Sequence, residues 1–352
     1  MPRTMLQRYL KLLAPGTPLR GGIDRILHGR TGALIVLGNN RQVSHVSSGG
    51  FQINVDFSEQ ALRELAKLDG AIILSNDLSR IIAAGVHLVP SGDLPTAETG
   101  TRHRSADRTA QAAGVPVVTV SASMGTVSLF INGRRHVVEN AAAVSIRANQ
   151  TLAALGSLIE RLQEALRQLD ALEISDQVTI RDVVQVAHRY ELVRRLSSEM
   201  DFHLAILGVE GRMLEMQHVE QIAPLDGLAD LLVEDYAHNL DNPEDFQLSN
   251  LLNFTPEELL GAQLVAERLG FGKDVYLESA VKPRGYRLLT TSGRLPRHIV
   301  DLIIPERNLQ EVFEADASEL QSIEGIGTRR AKLIRDGLTR LSEANYPQGP
   351  VR

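Results

Sequence analysis

Leu68–Leu74 reads "LDGAIIL", in which an acid, a glycine and a small residue open a short aliphatic run. Such a run, bounded by turn signals, predicts a buried strand. The same texture recurs in "GALIVLG", "RIIAAGVHLV", "VPVVTVS" and "TVSLFING", with helical patterns such as "SEQALRELAKL" and "SADRTAQAAG" between the runs. Glycine, proline and Asx clusters ("LGNNR", "SND", "INGR") supply the turns. The chain up to about residue 140 therefore reads as an α/β domain.

The next stretch changes character. Leu152, Leu155, Ile159, Leu162, Leu166 and Leu169 alternate spacings of three and four, the seam of a long packed helix. "IRDVVQVAHRYELVRRLSSEMDFHLAIL" continues in the same manner, so residues 141–289 predict an all-α spine whose role is structural. Residues 290–352 read as a small all-α domain of short helices and tight turns, ending in a polar tail expected to fray. The reading is thus of a multidomain protein, as a chain of 352 residues requires.

Composition narrows the chemistry. The absence of cysteine excludes disulfides, thiolate nucleophiles and cysteine-ligated metals, and fits a reducing cytoplasm. "MPRTMLQRYLKLLAPG" has no secretory pattern, and no stretch approaches the roughly 20 apolar residues of a membrane helix. The net charge of −6 argues against indiscriminate nucleic-acid binding, but it is unevenly spread. From Lys282 onward 12 Lys and Arg face 9 Asp and Glu, a balance of +3 against −9 for the rest, which suits a small DNA-contacting module.

Two stretches carry chemistry besides the first. An acid at a strand edge beside a glycine, as in Asp69 and Gly70, can reach a metal or a hydroxyl while a ligand approaches the backbone; the plain alternative is a turn residue before a strand. In "ETGTRHRSADRTA", Glu98 to Ala110, a helix is expected to begin near Ser105. Thr101, Arg102, His103, Arg104 and Ser105 would then crowd its N-terminus, where free N–H groups and guanidinium forks favour a triphosphate. A solvated basic turn is the alternative. In "LQSIEGIGTRRAKLI", Ile323, Ile326, Ala331 and Ile334 can be buried by two short helices, with Gly325 and Gly327 at their turn and Arg329, Arg330 and Lys332 behind it. Such a turn grips a nucleic-acid backbone through N–H groups and charge without reading sequence, unless the joint merely packs.

Together these pieces resemble one family. "DGA" followed some thirty residues on by "GTRHRSA" looks like the signature of the diadenylate cyclase domain, and "IEGIGTRRAKLI" resembles a helix-hairpin-helix motif. A cyclase domain, helical spine and helix-hairpin-helix in that order resemble the DNA integrity scanning family over essentially the whole chain. The resemblance implies condensation of two ATP into cyclic di-AMP and two pyrophosphates, with Mg²⁺ or Mn²⁺. It implies facing cyclase domains in a homo-octamer, with branched DNA such as recombination intermediates engaging the tail and suppressing synthesis. A cytoplasmic, nucleoid-associated protein follows.

Residue by residue, the resemblance gives Asp69 the metal and the activation of the ribose 3′-hydroxyl, and Gly70 and Ala71 the nucleotide pocket. Thr101, Arg102, His103, Arg104 and Ser105 would hold the phosphates, with Arg102 and His103 counted as catalytic and Ser121 touching the ligand. Gly325, Ile326, Gly327, Arg329, Arg330 and Lys332 would hold DNA. The loop in "SASMGTVSLF" departs from the family pattern, since Ala122 and Met124 stand where members often carry basic residues. A non-catalytic, nucleotide-sensing DNA binder would keep "GTRHRSA" but would not need Asp69.

Overall fold

The structure, a computed structural model, describes residues 3–345. The expected frayed tail lies largely outside them. The chain divides into two compact units, Met1–Thr151 with Glu199–Gln217, and Leu152–Ser198 with His218–Arg352.

The first unit is built on an eight-stranded sheet of order β2-β5-β4-β1-β6-β7-β8, with β3 also paired to β5. The strands are β1 (Ala33–Leu37), β2 (Ser47–Ser48), β3 (Phe51–Asp56), β4 (Ala71–Leu74), β5 (Arg80–Leu88), β6 (Val117–Ser121), β7 (Thr126–Ile131) and β8 (Arg134–Val138). Every aliphatic run singled out in the sequence forms a strand. β1, β4 and β6 are buried along their whole length, as continuous aliphatic runs require. Only β1 and β4 run parallel among the paired strands described.

Five helices accompany this sheet: α1 (Arg3–Leu12), α2 (Pro18–His28), α3 (Arg41–His45), α4 (Glu59–Leu65) and α5 (Thr101–Ala113). Helix α5 meets the sheet through Ala106, Ala110 and Ala113, which pack in one core with Leu34, Val36, Ala71, Ile73 and Phe130. Alanine at i, i+4 and i+7 gives a narrow inward stripe, so the helix lies close on the strands.

Three helices follow β8: α6 (Ala141–Ile174), α7 (Ile180–Leu207) and α8 (Arg212–Ile222). The second unit takes the later part of α6 and the earlier part of α7 and adds α9 (Leu228–Tyr236), α10 (Pro256–Leu259) and α11 (Ala262–Arg268). Leu155, Ile159, Leu162 and Leu169 of the α6 seam share a core with Val183 and Val186 of α7, Leu232 and Tyr236 of α9, and Phe246. The spine is therefore helical, as read.

The second unit ends in α12 (Tyr286–Thr290), α13 (Arg297–Ile303), α14 (Leu309–Glu314), α15 (Ala317–Gln321) and α16 (Thr328–Asn345). These five helices have a separate core running from Leu288 to Leu341. α16, at 18 residues, corrects the expectation of two short helices around the last turn. Its length follows from inward residues continuing at helical spacing through Ala331, Ile334, Leu338 and Leu341.

Candidate functional site

A cavity of about 520 Å³ in the first unit is lined by Leu34, Asp69, Gly70, Val86, His87, Leu88, Thr101, Arg102 and Ser105. It joins the two motifs that the sequence set thirty residues apart. Gly70 fixes the approach. Its φ is +110°, and a Cβ there would lie 2.7 Å from the carbonyl carbon of Gly85 and 2.8 Å from the carbonyl oxygen of Val86. Only glycine allows β4 to start this close to β5, which sets Asp69 on the rim. Asp69 is exposed, and its Oδ1 accepts the Gly70 N–H at 3.0 Å.

Helix α5 starts at Thr101 after Gly100, four residues before the expected start near Ser105. Gly100 takes the extended cap conformation and Thr101 is already helical, so the cationic cluster forms the first turn and does not precede it. A helical turn fans five consecutive side chains apart. Thr101, Arg102 and Ser105 line the cavity; His103 and Arg104 do not.

His103 packs against Phe130 with ring centroids 5.9 Å apart, and its Nε2 is buried without a hydrogen bond. Burial lowers its pKa from the ordinary imidazole value, the charges of Arg135 and Arg102 push the same way, and Glu98 opposes them. Arg104 turns to the preceding loop, its Nε donating to the Glu98 carbonyl at 3.4 Å. Arg108 Nε and Gln111 Nε2 grip the carbonyls of Leu94 and Pro95 at 2.9 and 3.0 Å. Three residues on one side of α5 thus hold the segment that leads into it.

Ala71 is fully buried in β4, packs in the core that includes Leu34 and is not part of the cavity wall. Ser121 is buried at the end of β6, 3.4 Å from the Ser123 hydroxyl, and is not part of the cavity wall. Ala122 and Met124 are exposed in the following turn. Sequence reading missed Leu34, Val86, His87 and Leu88. His87, an exposed imidazole in the otherwise aliphatic "GVHLV", was the signal available for them.

Among the described residues no group of three His, Cys, Asp or Glu side chains could hold a metal ion by itself. Asp69 is the single carboxylate on the cavity wall. One carboxylate suits Mg²⁺ or Mn²⁺ arriving with phosphates, because Mg²⁺ retains several waters and takes its remaining ligands from one or two carboxylates and the substrate.

In the second unit, Gly325 has φ +84° at the turn between α15 and α16, while Gly327 has no atom within 4 Å of where a Cβ would stand. Gly325, Gly327, Arg329, Arg330 and Lys332 are exposed, and Arg330 Nη1 folds back to the Gly325 carbonyl. Ile326, named in the same expected DNA set, is placed differently from these exposed residues. The residue is 3 % exposed and its side chain joins the core with Ile323 and Ile334, so it braces the turn from inside.

Residues 20–135 match the family described as "DisA bacterial checkpoint controller nucleotide-binding", and residues 138–277 match the "DisA bacterial checkpoint controller linker region". The DNA integrity scanning protein DisA of Cutibacterium acnes is 47% identical over 338 residues, covering 96% of this chain and 98% of that one. The chain belongs to the DisA family. Other DisA proteins are similar at nearly full length. Those of Parafrankia sp. and Streptomyces coelicolor are 45% and 44% identical, covering 96% and 97% of this chain and 95% and 93% of theirs. The DisA nucleotide-binding match contains the whole cavity wall, and the linker match opens at the end of β8. No helix among the described residues is long and apolar enough to cross a membrane.

Proposed function

We propose that this chain condenses two ATP molecules into cyclic di-AMP, releasing two pyrophosphates, and that its last hairpin holds branched DNA whose occupancy regulates synthesis. The observation that carries the reading is the meeting of Asp69 and Gly70 with Thr101, Arg102 and Ser105 around one cavity. Membership of the DisA family, with its nucleotide-binding segment, supports it.

Phosphoryl transfer of this kind needs alignment and charge neutralisation more than a covalent nucleophile. Thr101 and Ser105 offer hydroxyls one helical turn apart, the α5 N-terminus offers N–H groups and dipole, and Arg102 offers a guanidinium fork for the triphosphate. Asp69, exposed on the same cavity, orients the ribose 3′-hydroxyl and accepts a hydrogen bond from it. His103 acts by packing on Phe130 and holding the first turn of α5, with Arg104 fixing the loop before it. A divalent cation bound with ATP would be held by Asp69 and would neutralise charge on the phosphates.

Each cavity presents one acid and one phosphate clamp, so a 3′-hydroxyl in one must face the α-phosphate in another. The active form is then a homo-oligomer with opposed cyclase domains, and the arrangement implied by the family is an octamer. The working division is a cyclase domain at 1–140, a spine at 141–289 and a DNA-binding domain at 290–352, in a protein of the cytoplasm associated with the nucleoid.

The test is incubation of purified protein with ATP and Mg²⁺ or Mn²⁺, with cyclic di-AMP read by mass and Asp69→Asn in parallel. Product from the wild type alone, with ATP binding retained in the variant, is the expected result. ATP binding without product in an intact oligomer would favour a nucleotide-sensing DNA binder.

A further inference from the structure

The C-terminal core contains one hairpin repeated. Helices α12 and α15 occupy Tyr286–Thr290 and Ala317–Gln321, and α13 and α16 start at Arg297 and Thr328, a constant offset of 31 residues. The turn between each pair has a residue with positive φ at the same offset, Arg294 at +54° and Gly325 at +84°. Inward positions correspond as well: Leu289 with Leu320, Leu295 with Ile326, Val300 with Ala331 and Ile303 with Ile334, all in one core. Even the backbone bonds repeat. Leu289 N–H to Gly285 and Val300 N–H to Pro296 have counterparts in Leu320 to Asp316 and Ala331 to Gly327.

The copies differ in how their first helix is capped. In the second copy Asp316 Oδ1 accepts the N–H groups of Ser318 and Glu319 at 2.7 and 2.8 Å, a cap within the hairpin. The first copy has Gly285 at the matching position and takes its carboxylate from α9. Asp235 Oδ1 accepts from Gly285 and Tyr286 at 2.8 and 2.6 Å, and its Oδ2 accepts from Arg287 at 2.9 Å. Residues 287 and 318 are equivalent, so both carboxylates hold the same amide of the repeat. The first copy is capped only while seated on α9.

The remainder of the seat is charged and buried. Arg287, 1 % exposed, places Nη1 2.6 Å from Asp170 Oδ1 and Nη2 2.9 Å from Glu173 Oε2, both near the end of α6. Ser292 Oγ donates to Asp170 at 2.6 Å, Tyr236 OH donates to Glu173, and Gln310 donates to the Glu173 carbonyl at 2.8 Å. On the exposed edge Arg297 pairs with both oxygens of Glu234. A buried network of this kind is stable when complete and costly when partly broken, so intermediate arrangements are disfavoured.

From this we infer that the first hairpin is the seat through which DNA held at the second hairpin is felt by helix α6, at Asp170 and Glu173. The inference rests on the proposed reading of the second hairpin as the DNA site. The two hairpins share one core, so strain at one turn reaches the other. α6 is continuous from Ala141, separated from the end of β8 by two residues, to Ile174.

The experiment uses full-length protein, wild type against Asp235→Asn and the milder Ser292→Ala, with a four-way DNA junction as probe. Junction affinity, hydrogen exchange in residues 166–174 and cyclic di-AMP synthesis are measured with and without the junction. In the wild type the junction is expected to change exchange and synthesis by about fivefold or more. In the variants it should bind with wild-type affinity and leave both unchanged, while synthesis without DNA stays at the wild-type level. A full junction response in both variants overturns the inference alone. Failure of the wild type to bind the junction overturns the DNA reading and the inference with it.

Discussion

Arg102 and Arg104 stand two residues apart on the first turn of α5 and serve different structures. Arg102 lines the cavity with Asp69, whereas Arg104 Nε donates to the Glu98 carbonyl of the preceding loop. The cationic cluster therefore divides between a cavity wall and a loop anchor, separated by helical geometry.

Replacing these arginines should separate the two. Arg102→Ala removes charge-assisted bonds of about 1.5–3 kcal/mol and should weaken ATP binding by about 10- to 100-fold. Arg104→Ala should alter ATP affinity far less and should instead speed hydrogen exchange in residues 89–100. Calorimetric titration with ATP and exchange mass spectrometry read the two outcomes.

Gly70→Ala places a Cβ against the backbone of Gly85 and Val86 at a φ of +110°. The strain, about 1–3 kcal/mol, should lower the melting temperature and displace Asp69 from the cavity rim. Product formation should fall by a larger factor than ATP affinity, measured side by side.

Ala110→Leu tests the alanine stripe. Ala110 is 2 % exposed between α5 and the sheet, and overpacking there should cost about 1–3 kcal/mol. Because the whole helix must move outward, the variant should lose synthesis while keeping every residue of the cavity wall.

The two glycines at the turn of the second hairpin should behave differently. Gly325→Ala is strained by its positive φ and should lower thermal stability, whereas Gly327→Val enters open space and should preserve the fold. A side chain at 327 would cover the start of α16, so Gly327→Val should weaken junction binding in a gel-shift titration.

The seat also responds to pH. Burial and the charge of Glu173 push Asp235 up to about 7, against the backbone N–H bonds that favour its charged form. With the native pKa raised, the protonated native form is favoured, so its contribution is complete below the ordinary carboxylate range. It is lost as pH rises through about 7. Thermal unfolding of the second unit should therefore shift downward from pH 6 to pH 8, and Asp235→Asn should flatten that slope.

Much of this architecture was legible because its signals are local. The aliphatic runs of β1 and β4 to β7 and the seam of α6 name their own elements. β3, exposed along nearly its whole length, and β8, with Arg134, Arg135 and His136 among its five residues, give no such pattern. The start of α5 was misplaced because Ser is a common helix cap and Gly100 caps with no side chain at all. The pairing of "DGA" with "GTRHRSA" was readable as a motif, but not the division of its first turn between cavity and loop. The repeated hairpin was hidden because its equivalent residues share backbone conformation or burial more than identity, as Arg294 and Gly325 share a positive φ, and because the Asp235 cap lies 50 residues upstream.

Gly100 has a further consequence. A helix whose cap residue offers no side-chain acceptor keeps its leading amides available for an oxygen from elsewhere. A nucleotide phosphate resting there would complete the secondary structure of the protein, so substrate would act as a missing piece of the fold as well as a reactant. The empty and loaded forms should then differ most in the order of a single helical turn, and ATP should raise the unfolding temperature even in a variant that cannot cyclise it.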